Sequence, residues 1–114
     1  MEKMSELELA VLNSIAREYP FIKEHIPYLT IKNREKTGVG MYVNFAYSRD
    51  IKIRDSNYTN VSLSTNENIE MEKLEYGLGF ELDITDGKVN FIEFITYGEN
   101  WDGIVNDFKI TKDD

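Results

Sequence analysis

The chain of 114 residues has no cysteine, two prolines and one histidine. Without cysteine there is no disulfide, no thiolate nucleophile and no cysteine-ligated zinc. His25 stands alone, so neither an HxH nor an HxxxH metal spacing exists. Ser5, Ser14, Ser48, Ser56, Ser62 and Ser64 lack the glycine-flanked setting of a nucleophile elbow, and a serine triad is not expected. No run of 18 apolar residues occurs, so no membrane-spanning helix is predicted. The first residues interleave charges with apolar side chains, unlike a signal peptide, and the expected location is the cytoplasm. Asn57-Tyr58-Thr59 and Asn60-Val61-Ser62 match the glycosylation pattern and read as chance matches in that setting.

Positive charge is also scarce. Lys and Arg number 13 against 21 Asp and Glu, for a net charge of −8. Residues 1–36 are balanced, whereas residues 67–107 hold eleven acids against Lys73 and Lys88, a net of −9. Nucleic-acid binding needs cations that displace counterions, and anionic lipid needs the same, so neither partner is expected. A basic protein is the partner this half suits, since opposite fields speed encounter. Acidity also keeps a small protein soluble whatever its role.

What the chain does have is 41% hydrophobic and 12% aromatic residues in one domain's length. A chain of this size buries roughly two thirds of its unfolded surface, enough for a core without cross-links. Ser5-Glu6-Leu7-Glu8 fits a capping box, and Leu9, Leu12, Ala16 and Tyr19 recur at helical spacing beside Val11 and Ile15. The pattern predicts a helix over 6–18, ended by Pro20. A short helical turn follows at 21–26. Strands are expected to start at Leu29 and to fill Met41–Tyr47, with a glycine-marked turn at 37–40. Residues 48–60 read as a loop with a short edge at 51–53, and 61–63 as a further short strand. Residues 64–76 have weak periodicity, and a turn of helix at 68–75 is one reading. The last strand is expected over 104–111. The fold class is α+β, with one N-terminal helix packed on a twisted, mainly antiparallel sheet of about five strands.

The clearest element is the hairpin from Leu78 to Thr96 around Asp86-Gly87, a type I′ signature. An unbroken register places Ile84 opposite Val89, Leu82 opposite Phe91, Phe80 opposite Glu93 and Leu78 opposite Ile95. Glu93 then falls on the apolar face, and Ile92 and Phe94 on the polar one beside Gly79. One bulge would exchange them.

Five residues are candidates for binding: Arg34, Glu93, Tyr97, Glu99 and Trp101. A carboxylate on an apolar face must be paired, hydrogen-bonded or protonated, and Arg34 is the expected partner of Glu93. The pair reads as a ligand-binding or general-base site, as a structural ion pair, or as a register error that leaves Glu93 in water. Tyr97, Glu99 and Trp101 form a loop of the kind that supplies binding hot spots, unless Trp101 folds back on the sheet edge. The glycines of Thr37-Gly38-Val39-Gly40 precede a strand, not a helix, and do not form a phosphate loop. Asp83, Asp86 and Gly87 lack calcium-loop spacing. No cofactor and no metal are expected.

Arg34-Glu35-Lys36-Thr37-Gly38-Val39-Gly40-Met41-Tyr42, Gly77-Leu78-Gly79-Phe80-Glu81-Leu82, Asp86-Gly87-Lys88-Val89 and Ile92–Trp101 resemble motifs of a family of small uncharacterised bacterial proteins. The resemblance implies a small bacterial protein and supplies no activity or catalytic residue.

Three functional expectations follow. The first is a non-enzymatic protein-binding module, for example an immunity-type inhibitor of a basic partner. The second is a small-molecule-binding or enzymatic domain using Arg34 and Glu93 in a pocket between helix and sheet. The third is a homodimer through the sheet face or edge, with residues 92–95 as the self-association surface.

Overall fold

The computed structural model describes residues 2–50 and 58–112. Helix α1 spans Glu6–Glu18 with its capping box in place: the Glu8 amide donates to Ser5 Oγ, and the Ser5 amide to Glu8 Oε1 at 2.7 Å. A short helix α2, Ile22–His25, and a 3₁₀ turn, Ile26–Tyr28, lead into the first strand. The strands are β1 Leu29–Lys36, β2 Gly40–Tyr47, β3 Val61–Leu63, β4 Glu67–Met71, β5 Leu74–Thr85, β6 Lys88–Thr96 and β7 Phe108–Lys112. All pair antiparallel in the order β1-β2-β6-β5-β4-β7, with β3 also on β5. The expected short edge at 51–53 lies outside the described residues.

The α+β class with a leading helix and an antiparallel sheet holds, but the described residues form a sheet of seven strands and not about five. The helical turn expected at 68–75 is instead β4, the two-residue turn Glu72-Lys73 and the start of β5. Only Ile69 and Met71 of β4 face the core, too few for alternation to stand out. The last strand begins at Phe108, not at 104, because Ile104 belongs to a loop knotted around Trp101.

The hairpin register corrects the reading made without a bulge. Asp86 and Gly87 both take positive φ, as a type I′ turn requires. Thr85 pairs with Lys88 and Ile84 with Val89, but Asp83 then pairs with Phe91. Asn90 is therefore an extra residue in β6, and its side-chain amide donates to Asp83 Oδ2 at 3.0 Å. From there Leu82 faces Ile92, Glu81 faces Glu93 and Phe80 faces Phe94. Ile92 and Phe94 are buried, and Glu93 moves to the opposite face.

One face of the sheet carries Ile31, Met41, Val43, Leu78, Phe80, Leu82, Ile92 and Phe94, all in one buried cluster with Leu7, Val11, Leu12 and Ile15 of α1. Arg34 of β1 ties this face to α1: its Nε and Nη2 donate to the two oxygens of Glu8 at 2.7 and 2.8 Å. Gly40 permits close packing of β2 on β6, since a Cβ there would lie 2.2 Å from the Phe94 carbonyl oxygen.

Candidate functional site

The opposite face of the sheet is set by the same pairings. Glu35 of β1 is opposite Tyr42 of β2, Tyr42 is opposite Glu93 of β6, and Glu93 is opposite Glu81 of β5. At the usual strand spacing this row crosses about 14 Å. It contains three carboxylates, one phenol and no basic residue. The Tyr42 hydroxyl bonds the Glu93 carboxylate, and that bond together with the charge of Glu93 raises the Tyr42 pKa above its ordinary value. A neighbouring row carries Asn44, Phe91 and Asp83. Phe91 meets Tyr42 edge to face, with ring centroids 5.4 Å apart.

On the other side of the carboxylates the row is Gly40, Ile95 and Gly79. Two glycines leave Ile95 standing clear, 46% exposed. Tyr97, 52% exposed, leans over Gly79 and donates its hydroxyl to Asn68 Oδ1 at 3.2 Å. Because the chain leaves the edge of β5 between β3 and β4, a surface hollow of about 370 Å³ opens here. Its walls include Ser64–Glu67 on one side and Ile95 and Tyr97 on the other, with Gly79, Glu81 and Glu93 between. A second hollow of about 450 Å³ lies between α1 and the β4–β7 edge, but its charges are already matched. There Arg17 lies 3.7 Å from Glu67, and Ser14 bridges the two.

The five residues singled out in the sequence do not assemble. Arg34 pairs across β2 with Val43 and Glu93 with Tyr42, so the two lie on opposite faces. Arg34 instead grips Glu8 and also Glu2, at 2.7 Å, and these acceptors hold its pKa above the ordinary value. The expected pocket joining Arg34 to Glu93 between helix and sheet is thus not formed, since the bulge at Asn90 turns Glu93 outward. Trp101 is not an exposed anchor: it is 5% exposed, its amide donates to the Gly38 carbonyl at 2.8 Å, and its indole N–H donates to the Ile104 carbonyl. Glu99 is occupied structurally, its two oxygens accepting the amides of Glu75 and Tyr76 at 2.8 and 2.9 Å. Of the five, Glu93 and Tyr97 share the open hollow. Ile92 and Phe94, the basis for self-association through 92–95, are buried in the chain's own core.

Sequence reasoning missed Glu35, Tyr42 and Glu81. Their alternation with buried neighbours was visible, but their alignment needed the register of three strand pairs. Among the described residues no group of three His, Cys, Asp or Glu is arranged to hold a metal ion, and no helix is long and apolar enough to cross a membrane.

No protein family, curated protein or solved structure matches the chain. A functional reading therefore rests on the open face.

Proposed function

We propose that the chain is a non-enzymatic protein-binding module whose open sheet face meets a basic partner, an immunity-type inhibitor being one concrete form. The observation that carries this is the row Glu35, Tyr42, Glu93 and Glu81. Its three carboxylates stand on one face, Glu81 and Glu93 directly opposite on adjacent strands and Glu35 beyond Tyr42, with no cation at ion-pair distance among the described residues. Like charges directly opposite each other cost stability, so the arrangement gains from a cationic surface laid across it. Phe91, Ile95 and Tyr97 beside the row add the apolar contact area that a stable interface needs at its centre. Strands hold these side chains in place before a partner arrives, which reduces the ordering cost of binding.

The experiment is comparative capture from a bacterial lysate. One immobilised protein is the wild type and the other carries Glu35→Lys, Glu81→Lys and Glu93→Lys. The reading expects a basic protein retained by the first, lost from the second and released by moderate salt. Equal retention by both would overturn it.

A further inference from the structure

We propose that the hollow beside Gly79 receives an arginine side chain of the basic partner. This rests on the reading above and goes further by naming the group that the face recognises and where it enters.

Glu81 and Glu93 are directly opposite across β5 and β6, and neither has an ion-pair partner among the described residues. A cation between them removes their mutual repulsion and gains attraction from both. The shape of the surface points the same way independently. Gly79 supplies no side chain next to the two carboxylates, and the loop 64–66 stands away from them across the hollow. The result is a recess reached from the open face and not a flat acidic surface.

Three features select arginine among cations. A guanidinium presents five N–H donors in a rigid fork, which suits two carboxylates approached together. Tyr97 walls the recess and offers a ring against which the planar guanidinium can stack. Further acceptors stand at the wall: Ser64, Thr65 and Asn66 line it, and the buried Thr65 hydroxyl oxygen has no hydrogen-bond partner. A lysine ammonium satisfies the charge but neither the fork nor the stacking. A divalent cation would find two free carboxylates, since Glu67, the third at the wall, accepts from Ser14 and faces Arg17.

The test is an NMR titration of the ¹⁵N-labelled protein with N-acetyl-arginine methylamide, with the lysine equivalent and calcium chloride in parallel. Saturable arginine shifts are expected at Gly79, Glu81, Glu93, Ile95 and Tyr97, with lysine weaker by about fivefold or more. The shifts should disappear in Glu81→Gln/Glu93→Gln, which keeps the wild-type spectrum elsewhere and so reports on the site and not on folding. Gly79→Ala offers a second variant: its Cβ would lie 2.8 Å from the Tyr97 hydroxyl, crowding the recess from inside. Arginine shifts that miss the hollow, survive in the Gln variant, or are matched by lysine or calcium would overturn the proposal. Should that happen while the charge-reversed face still loses the captured protein, the arginine site fails and the binding reading stands. If capture is indifferent to the face, both fail.

Discussion

Arg34 and Glu8 form a bidentate pair in which the carboxylate is 2% exposed and the guanidinium one quarter exposed. Glu8 does two things at once, closing the capping box of α1 through Oε1 and anchoring β1 to that helix. Removing Arg34 leaves a buried carboxylate without its cation. Arg34→Met should therefore lower unfolding stability by about 2–4 kcal/mol, somewhat under the ~3–5 kcal/mol of a fully buried pair because the Arg34 side chain is one quarter exposed. Arg34→Met/Glu8→Leu should cost less than the single change, because no orphan charge remains. Urea unfolding of the three proteins checks the order.

Asn90 is the extra residue of β6. Deleting it removes the bulge and keeps the register: Phe91 still pairs with Asp83, Ile92 with Leu82 and Phe94 with Phe80, so Ile92 and Phe94 stay inward. Asn90→Ala, which keeps the bulge, should cost only about 1 kcal/mol for its lost hydrogen bonds. Cooperative unfolding should survive deletion of Asn90 but not deletion of Glu93, which turns Phe94 to the outer face. Circular dichroism melts distinguish the two deletions.

His25 is buried, and burial pushes its pKa below the usual histidine value. Its Nδ1 lies 3.0 Å from the Tyr47 hydroxyl, which accepts the Val89 amide and is itself pushed up to about 12 by burial. With Tyr47 donating to it, the neutral ring is the form that fits. Phe21 stacks edge-on against the ring, the Glu24 charge partly offsets the shift, and Lys88 sits over the Tyr47 ring. The unfolded chain binds a proton near the ordinary pKa of about 6.5, before the folded chain does. Stability should thus be full above that pH, fall as pH drops through it, and level off below the depressed folded value. Denaturation midpoints from pH 8 to 5 should show this slope in the wild type and a shallower one in His25→Gln.

Two glycines separate packing from site. Gly40→Ala drives a Cβ into the Phe94 backbone and should destabilise by about 2–4 kcal/mol, a backbone clash that rotamers do not relieve. Gly79→Ala meets only the end of the Tyr97 side chain, which can swing aside, and should cost under about 1 kcal/mol. Thermal melts of the two variants give the comparison.

Local signals were legible in the sequence. The capping box and the period of Leu12 and Ile15 place α1, and Asp86-Gly87 places the hairpin turn. What escaped depends on contacts distant along the chain. Trp101 between Asn100 and Asp102 reads either as exposed or as folded back on the sheet edge, and the contact that holds it inside is a carbonyl at Gly38. Glu8 reads as a cap, and its second role needs a strand 26 positions away. Asn90 looks like any polar residue of an alternating strand. Only matching Ile92 and Phe94 to Leu82 and Phe80 exposes it as a bulge. The acidic half identified from composition does contribute Glu81 and Glu93 to the open row, but Glu35 joins from the electrically balanced N-terminal third.

The most direct measurement is calorimetric titration of the captured basic protein into three versions of the chain: wild type, Glu35→Lys/Glu81→Lys/Glu93→Lys, and Glu18→Lys/Glu24→Lys/Glu72→Lys. The two variants carry the same net charge, but the second leaves the open face intact. Reversal on the face should weaken binding by about 100-fold or more, while the control should change it by less than about tenfold, as screened long-range charge would. Equal weakening by both would show that net charge and not this face carries the interaction.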